Sequence, residues 1–164
     1  MTWFDYAVIA VLAISVLIGI WRGFVREVFA LGGWVAAFVV AMLFAGQAGE
    51  LLPASSATPF VRSAAAGVVI FVVVLIVCSI AGMLFARVLR VAGLGLADRT
   101  LGGVFGFARG ALISLISVLA AGLTALPKEP FWREAVLSGP LETAVVALKP
   151  YLPAPLAARV RYDR

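Results

Sequence analysis

The chain of 164 residues has no histidine, a single cysteine and little charge of either sign. Each scarcity closes off a class of chemistry. Without histidine there is no imidazole base, no His-ligated zinc or haem, and no side chain that titrates near neutrality at its ordinary pKa. The lone Cys78 lies inside an apolar run, which excludes an intramolecular disulfide and any paired-cysteine metal site. Serines are present, but with no histidine and no lysine inside an apolar run none has a base to activate it. Charged residues make up 13% of the chain and hydrophobic ones 64%, against about 25% and 45–50% in soluble domains. A water-soluble globule of that balance would lack the polar surface to cover its core.

What is present is long and apolar. Uncharged runs occupy 6–21, 28–49, 63–86 and 110–127. Crossing the hydrocarbon core takes roughly 20 apolar residues in a helix, and a charge-free run in lipid must satisfy its own backbone, which a helix does. The pattern predicts an all-α membrane protein with four transmembrane helices, at about 4–21, 28–46, 64–86 and 101–126. Trp3 and Trp21 are ~27 Å apart along the first helix, which suits aromatic belts at the two interfaces. A signal peptide fits poorly, because Asp5 replaces the basic start and Gly19-Ile-Trp-Arg-Gly23 replaces a small-residue cleavage site. The segment 47–59 has loop chemistry. The remainder, 127–164, forms a Pro-rich tail, read as short amphipathic helices in the headgroup region or as a small soluble cap.

Orientation follows the bases near helix ends. Arg22, Arg26, Arg87, Arg90 and Arg99 share one side, against Arg62, Lys128 and Arg133 on the other. This predicts that both termini are periplasmic. The net charge of +5 is dispersed, which suits anionic headgroups and gives no stripe for nucleic acid, so no nucleic-acid partner is expected.

Several small patterns stand out. GxxRG occurs twice, at Gly19–Gly23 and Gly106–Gly110, through chance or through duplication of a hairpin. Gly102, Gly106, Gly110 and Ser114 recur every fourth residue, a helix-packing stripe that serves either within the chain or between subunits. Arg109, beside that stripe, either borders an aqueous path, snorkels to headgroups, or pairs with Glu27 or Asp98. Asp5 and Asp98 fall at opposite ends of the bundle, so no aspartyl dyad forms. Asp98 reads as a cap on the fourth helix. Gly93-Leu-Gly-Leu-Ala-Asp98 lacks the Lys-Ser/Thr of a phosphate loop.

Asp5-Tyr6 opening an apolar helix, Arg22-Gly-Phe-Val-Arg-Glu27, and Asp98-Arg-Thr-Leu-Gly102-Gly-Val-Phe-Gly106-Phe-Ala-Arg109-Gly110 together resemble the colicin V production protein family over residues 1–126. The resemblance implies a small, multi-pass bacterial inner-membrane protein linked to production or export of that peptide toxin and to envelope maintenance. It implies no reaction. The candidate functional cluster is therefore Asp5, Arg22, Gly23, Arg26, Glu27, Asp98, Arg99 and Arg109, with Gly102, Gly106, Gly110 and Ser114 as packing positions. The expected protein is not an enzyme and takes no cofactor or metal. Its expected partners are the lipid bilayer, further copies in a homo-oligomer, and an envelope or export partner. A small channel or transporter, or a scaffold recruiting a partner through the tail, are the alternatives.

Overall fold

A computed structural model describes residues 1–51, 53, 58–124, 126–151 and 162. Four helices are long and apolar enough to cross a membrane: α1 (Trp3–Arg22), α2 (Phe24–Glu50), α3 (Pro59–Val91) and α4 (Gly95–Ala121). A short 3-10 turn (Leu126–Lys128) leads to α5 (Pro130–Arg133) and α6 (Ser138–Leu148), and a second such turn (Lys149–Tyr151) follows. No strand occurs among the described residues.

The first three helices overrun their charge-free runs at both ends, and the fourth does so only at its start. The second extends to Glu50, four residues into the expected loop, and the third occupies 33 residues, ~50 Å against a hydrocarbon core of ~30 Å. Charge is excluded only from the hydrocarbon, so an apolar run locates a helix and does not fix its ends. The fourth starts at Gly95 rather than Leu101 and stops at Ala121 rather than Leu126, so Arg109 lies in its interior. What ends these helices is local. Gly23 (φ 84°) separates α1 from α2. Gly93 (φ 80°) closes α3, with the Leu94 N–H donating to Leu89 O at 2.9 Å and the Gly93 N–H to Arg90 O at 3.2 Å. That is the paired-bond arrangement in which a left-handed residue satisfies the last carbonyls of a helix. Thr58 opens α3, its hydroxyl accepting from the Val61 N–H, with Pro59 in the first turn where its missing N–H costs nothing.

The chain divides into two compact units, 1–20 with 103–164, and 21–102. In the first, α1 and α4 run antiparallel: Gly103 faces Ile20, Gly106 faces Ser15 and Gly110 faces Leu12. Its core gathers Phe4, Val8, Val118, Ala121, Trp132, Ala135 and Val145, so α5 and α6 of the tail pack on the ends of α1 and α4. Phe4 and Trp132 hold their rings 4.4 Å apart, and the buried Trp132 Nε1–H donates to Glu142 at 2.6 Å. Tail residues 152–161, 163 and 164, including three arginines, lie outside the described residues.

The second unit is an antiparallel α2–α3 hairpin with the last two residues of α1 and the first two turns of α4. Small residues set its spacing. A methyl group on Gly33 would come within 2.9 Å of Cys78 Cβ, and one on Gly82 within 2.8 Å of Phe29 Cβ. Phe29 stacks on Phe85, and Trp34 meets Phe71 edge-on. Most large apolar side chains of the pair, such as Phe38, Met42, Val73 and Ile76, are exposed. In water that surface would aggregate; in lipid it is the ordinary outer face of a span.

Candidate functional site

The acid and base residues singled out by sequence sort into three places. The largest group lies in the second unit, where α1 gives way to α2. Gly23 is the N-cap of α2 and has no side chain with which to cap it. Asp98, from the first turn of α4, supplies the missing acceptor: the Val25 N–H donates to Asp98 Oδ1 at 2.9 Å. A methyl group at position 23 would collide with the Asp98 carboxylate. The glycine is thus required twice, by its positive φ and by the carboxylate that takes the place of its side chain. Asp98 does not cap its own helix, as its place in the sequence suggested. It is buried, and its negative charge lies at the positive N-terminal ends of both α2 and α4.

Around this junction stand arginines. Arg22 reaches the buried Glu27 carboxylate at 3.5 Å. Arg26, Arg90 and Arg99 join Arg22 and Asp98 in lining one small recess. Arg90 folds its Nε–H back to Ala86 O at 3.2 Å. The Arg26 Nε–H is buried and has no hydrogen-bond partner among the described residues. Arg22, Gly23, Arg26, Glu27, Asp98 and Arg99 are therefore brought together, as the sequence pattern grouped them.

Arg109 is elsewhere. It lies in the interior of α4 and belongs to the first unit. Its Nε–H donates to Ser15 Oγ at 3.0 Å, and a terminal N–H donates to Ser15 O at 3.1 Å. The glycine stripe explains why the guanidinium reaches that far. A methyl group on Gly106 would strike the Ser15 carbonyl, and one on Gly110 would come within 3.1 Å of Leu12 Cα. Gly102, Gly106, Gly110 and Ser114 are all buried, and Ser114 returns its hydroxyl to Gly110 O. From Gly106 on, the stripe is occupied by α1 of the same chain, so it no longer argues for a contact between subunits. The two GxxRG segments also differ in kind: one ends a helix at a left-handed glycine, the other lies in a helix interior.

Asp5 is the third place. It is fully buried at the start of α1 and accepts from three backbone N–H groups: Thr2 at 2.9 Å, Val136 at 3.2 Å and Leu137 at 2.8 Å. The last two lead into α6, so this carboxylate fastens the tail to the first helix.

Sequence reasoning passed over Ser15, Trp132 and Glu142. A hydroxyl in the middle of an apolar helix was the available signal for Ser15; nothing local distinguishes Glu142 from a solvated acid. Among the described residues no three acidic or cysteine side chains converge as metal ligands do. The chain has no histidine to act as a base. What it offers is a set of buried carboxylates capping helix ends, a guanidinium within a span, and an arginine-rich recess.

A match to the colicin V production protein family spans residues 4–146. A colicin V production protein homolog from Haemophilus influenzae is 35% identical over 134 residues, which cover 81% of this chain and 82% of the relative. The colicin V production protein of Escherichia coli is 36% identical over 146 residues, with 84% and 85% covered. No solved structure matches the chain.

Proposed function

Because the chain belongs to the colicin V production protein family, we propose that it is a multi-pass protein of the bacterial inner membrane that supports production or export of a colicin V-type peptide toxin and, with it, envelope homeostasis. The observation that carries this reading is the family match over four membrane-length helices. The protein then acts by binding and assembly, together with an envelope or export partner and as a homo-oligomer. The oligomer's contacts would use the exposed faces of α2 and α3, since α1 occupies the glycine stripe.

Complementation tests the proposal. An Escherichia coli strain carrying the colicin V genes but deleted for its own relative should recover toxin release, read as zones of killing, when this chain is expressed. Release that stays at the deleted level, with the chain folded and in the inner membrane, would overturn it.

A second reading, a small channel or transporter, draws on Arg109, since an ionisable side chain within a span marks a functional path by default. Solute and ion flux in proteoliposomes should then fall in Arg109→Ala. Indistinguishable leak from both proteins would remove that reading.

A further inference from the structure

A cavity of about 300 Å³ opens between α2 and α3 in the second unit. Its lining changes character along its length. Arg22 and Arg26 stand at one end, and Phe29, Trp34, Leu75 and Met83 form walls running away from them. From Arg26 to Trp34 is ~12 Å along α2, so the charged end lies at the terminus of the span and the apolar end within it. The walls are open to the surroundings: Trp34 is 61% exposed and Met83 45%. At the charged end the cavity shares Arg22 and Arg26 with the small recess that Arg90 and Arg99 also line. Two carboxylates lie there, and both have roles of their own: Asp98 caps α2 and Glu27 faces Arg22. Four arginines against two acids leave an excess of positive charge. The Arg26 Nε–H is buried there with no partner among the described residues.

We propose that this groove binds an anionic phospholipid, its phosphate held by Arg26 and Arg22 with Arg90 and Arg99 beside them, and an acyl chain laid along Phe29, Trp34 and Leu75. The charge gradient matches an amphiphile lying parallel to the helices. Guanidinium groups bind phosphate oxygens through paired N–H donors, and so favour phosphate over water at a partly desolvated site. Basic pockets between spans on the cytoplasmic side hold anionic headgroups on the same grounds. A zwitterionic lipid has the same apolar tail but offers no net charge to offset the arginine excess, so the site should discriminate by headgroup.

Trp34 gives a direct readout. The full chain is reconstituted in phosphatidylcholine vesicles doped with either phosphatidylglycerol or phosphatidylcholine brominated in the acyl chain, and tryptophan quenching is measured. Subtracting the same measurement on Trp34→Phe isolates the groove. Brominated phosphatidylglycerol should quench Trp34 more than brominated phosphatidylcholine at equal mole fraction. Arg26→Gln should lower that preference about fivefold, the worth of one arginine near a headgroup. Ser79→Phe, which places a ring in the groove from an exposed position on α3, should abolish it without touching the arginines, and it answers the question even if Arg26→Gln does not fold. Arg133→Gln, in the other unit, should leave the preference intact. Equal quenching by the two lipids, or a preference that survives both groove variants, overturns the proposal. So does competition by inorganic phosphate at millimolar concentration, which would assign the recess to a free anion. Trp34 shielded from both lipids in a cross-linked dimer would instead give the groove to a second copy of the chain.

Discussion

Asp98 and Gly23 form a cap built from two distant pieces of sequence, one supplying the backbone and the other the side chain. Gly23→Ala puts a methyl group where the carboxylate lies and forces a left-handed φ on alanine, a cost expected to exceed ~1 kcal/mol. Asp98→Ala removes the cap, for about 0.5–2 kcal/mol. The double variant should lose less than the sum, because Asp98→Ala removes the group that the new methyl strikes. Unfolding in mixed micelles measures all three. The Ser15 hydroxyl accepts from Arg109 alongside the Ser15 carbonyl, so Ser15→Ala should cost only about 0.6 kcal/mol and at most ~1.7, as for polar contacts between spans. Arg109→Lys should cost more, since an ammonium has no fork with which to hold both oxygens. Tyr162 offers a spectroscopic check outside the spans. Its hydroxyl donates to Val118 O, and burial, aided by the Glu142 charge, pushes its pKa up to about 12. The unfolded chain ionises first as pH climbs past ~10. The contact's contribution to stability is therefore complete below that value and lost as pH approaches 12. Ultraviolet titration should show a tyrosine signal near pH 12 that Tyr162→Phe removes.

Neighbouring glycines separate close packing from mere helix weakness at the scale of the element. Gly32 has open space beyond it, whereas Gly33 faces Cys78. Gly32→Ala should be neutral or stabilising by up to ~1 kcal/mol through helix propensity, while Gly33→Ala should destabilise the α2–α3 hairpin. Gly106→Leu should separate α1 from α4, at about 1–3 kcal/mol for overpacking. Thermal melts in detergent would order the three. The helices themselves were legible in the sequence because lipid tolerates so little: four uncharged runs of spanning length permit one reading. Their ends were not, because charged residues outside the hydrocarbon continue a helix without penalty, as Arg87 and Arg90 do in α3. The glycine stripe was legible as a packing face. Its partner was not, since period alone does not say whether the facing helix is α1 or another copy. The sequence marks Asp98 as a cap but not as the cap of α2, because a bond spanning 73 positions leaves no local trace.

For the whole molecule, the tail is more than an appendage. Trp132, Ala135 and Val145 share a core with Phe4, Val8 and Val118, and Asp5 holds the turn before α6. Deleting residues 128–164 should expose that core and lower thermal stability. A loss of activity on truncation would then report unfolding before it reported a missing partner site. Substitution at the exposed Val136 is the cleaner probe of recruitment. The bias of arginines toward the α1–α2 and α3–α4 turns predicts termini outside the cytoplasm. Alkaline phosphatase fused at the C-terminus should be active there and green fluorescent protein dark; the reverse pattern would invert the topology.

The first unit unites the opening helix of the chain with its last span. Ribosomes add ~5–20 residues per second, so α1 waits several seconds in the bilayer before Gly103 to Gly110 emerge to meet it. During that interval the Ser15 hydroxyl lacks its guanidinium, and Asp5 lacks two of its three N–H donors. The hairpin of α2 and α3 can close on its own meanwhile. A ribosome that stalls before the fourth helix therefore releases a chain whose first helix keeps a polar seam turned to lipid. Such a seam distinguishes unfinished copies from finished ones for any membrane protease that surveys the bilayer.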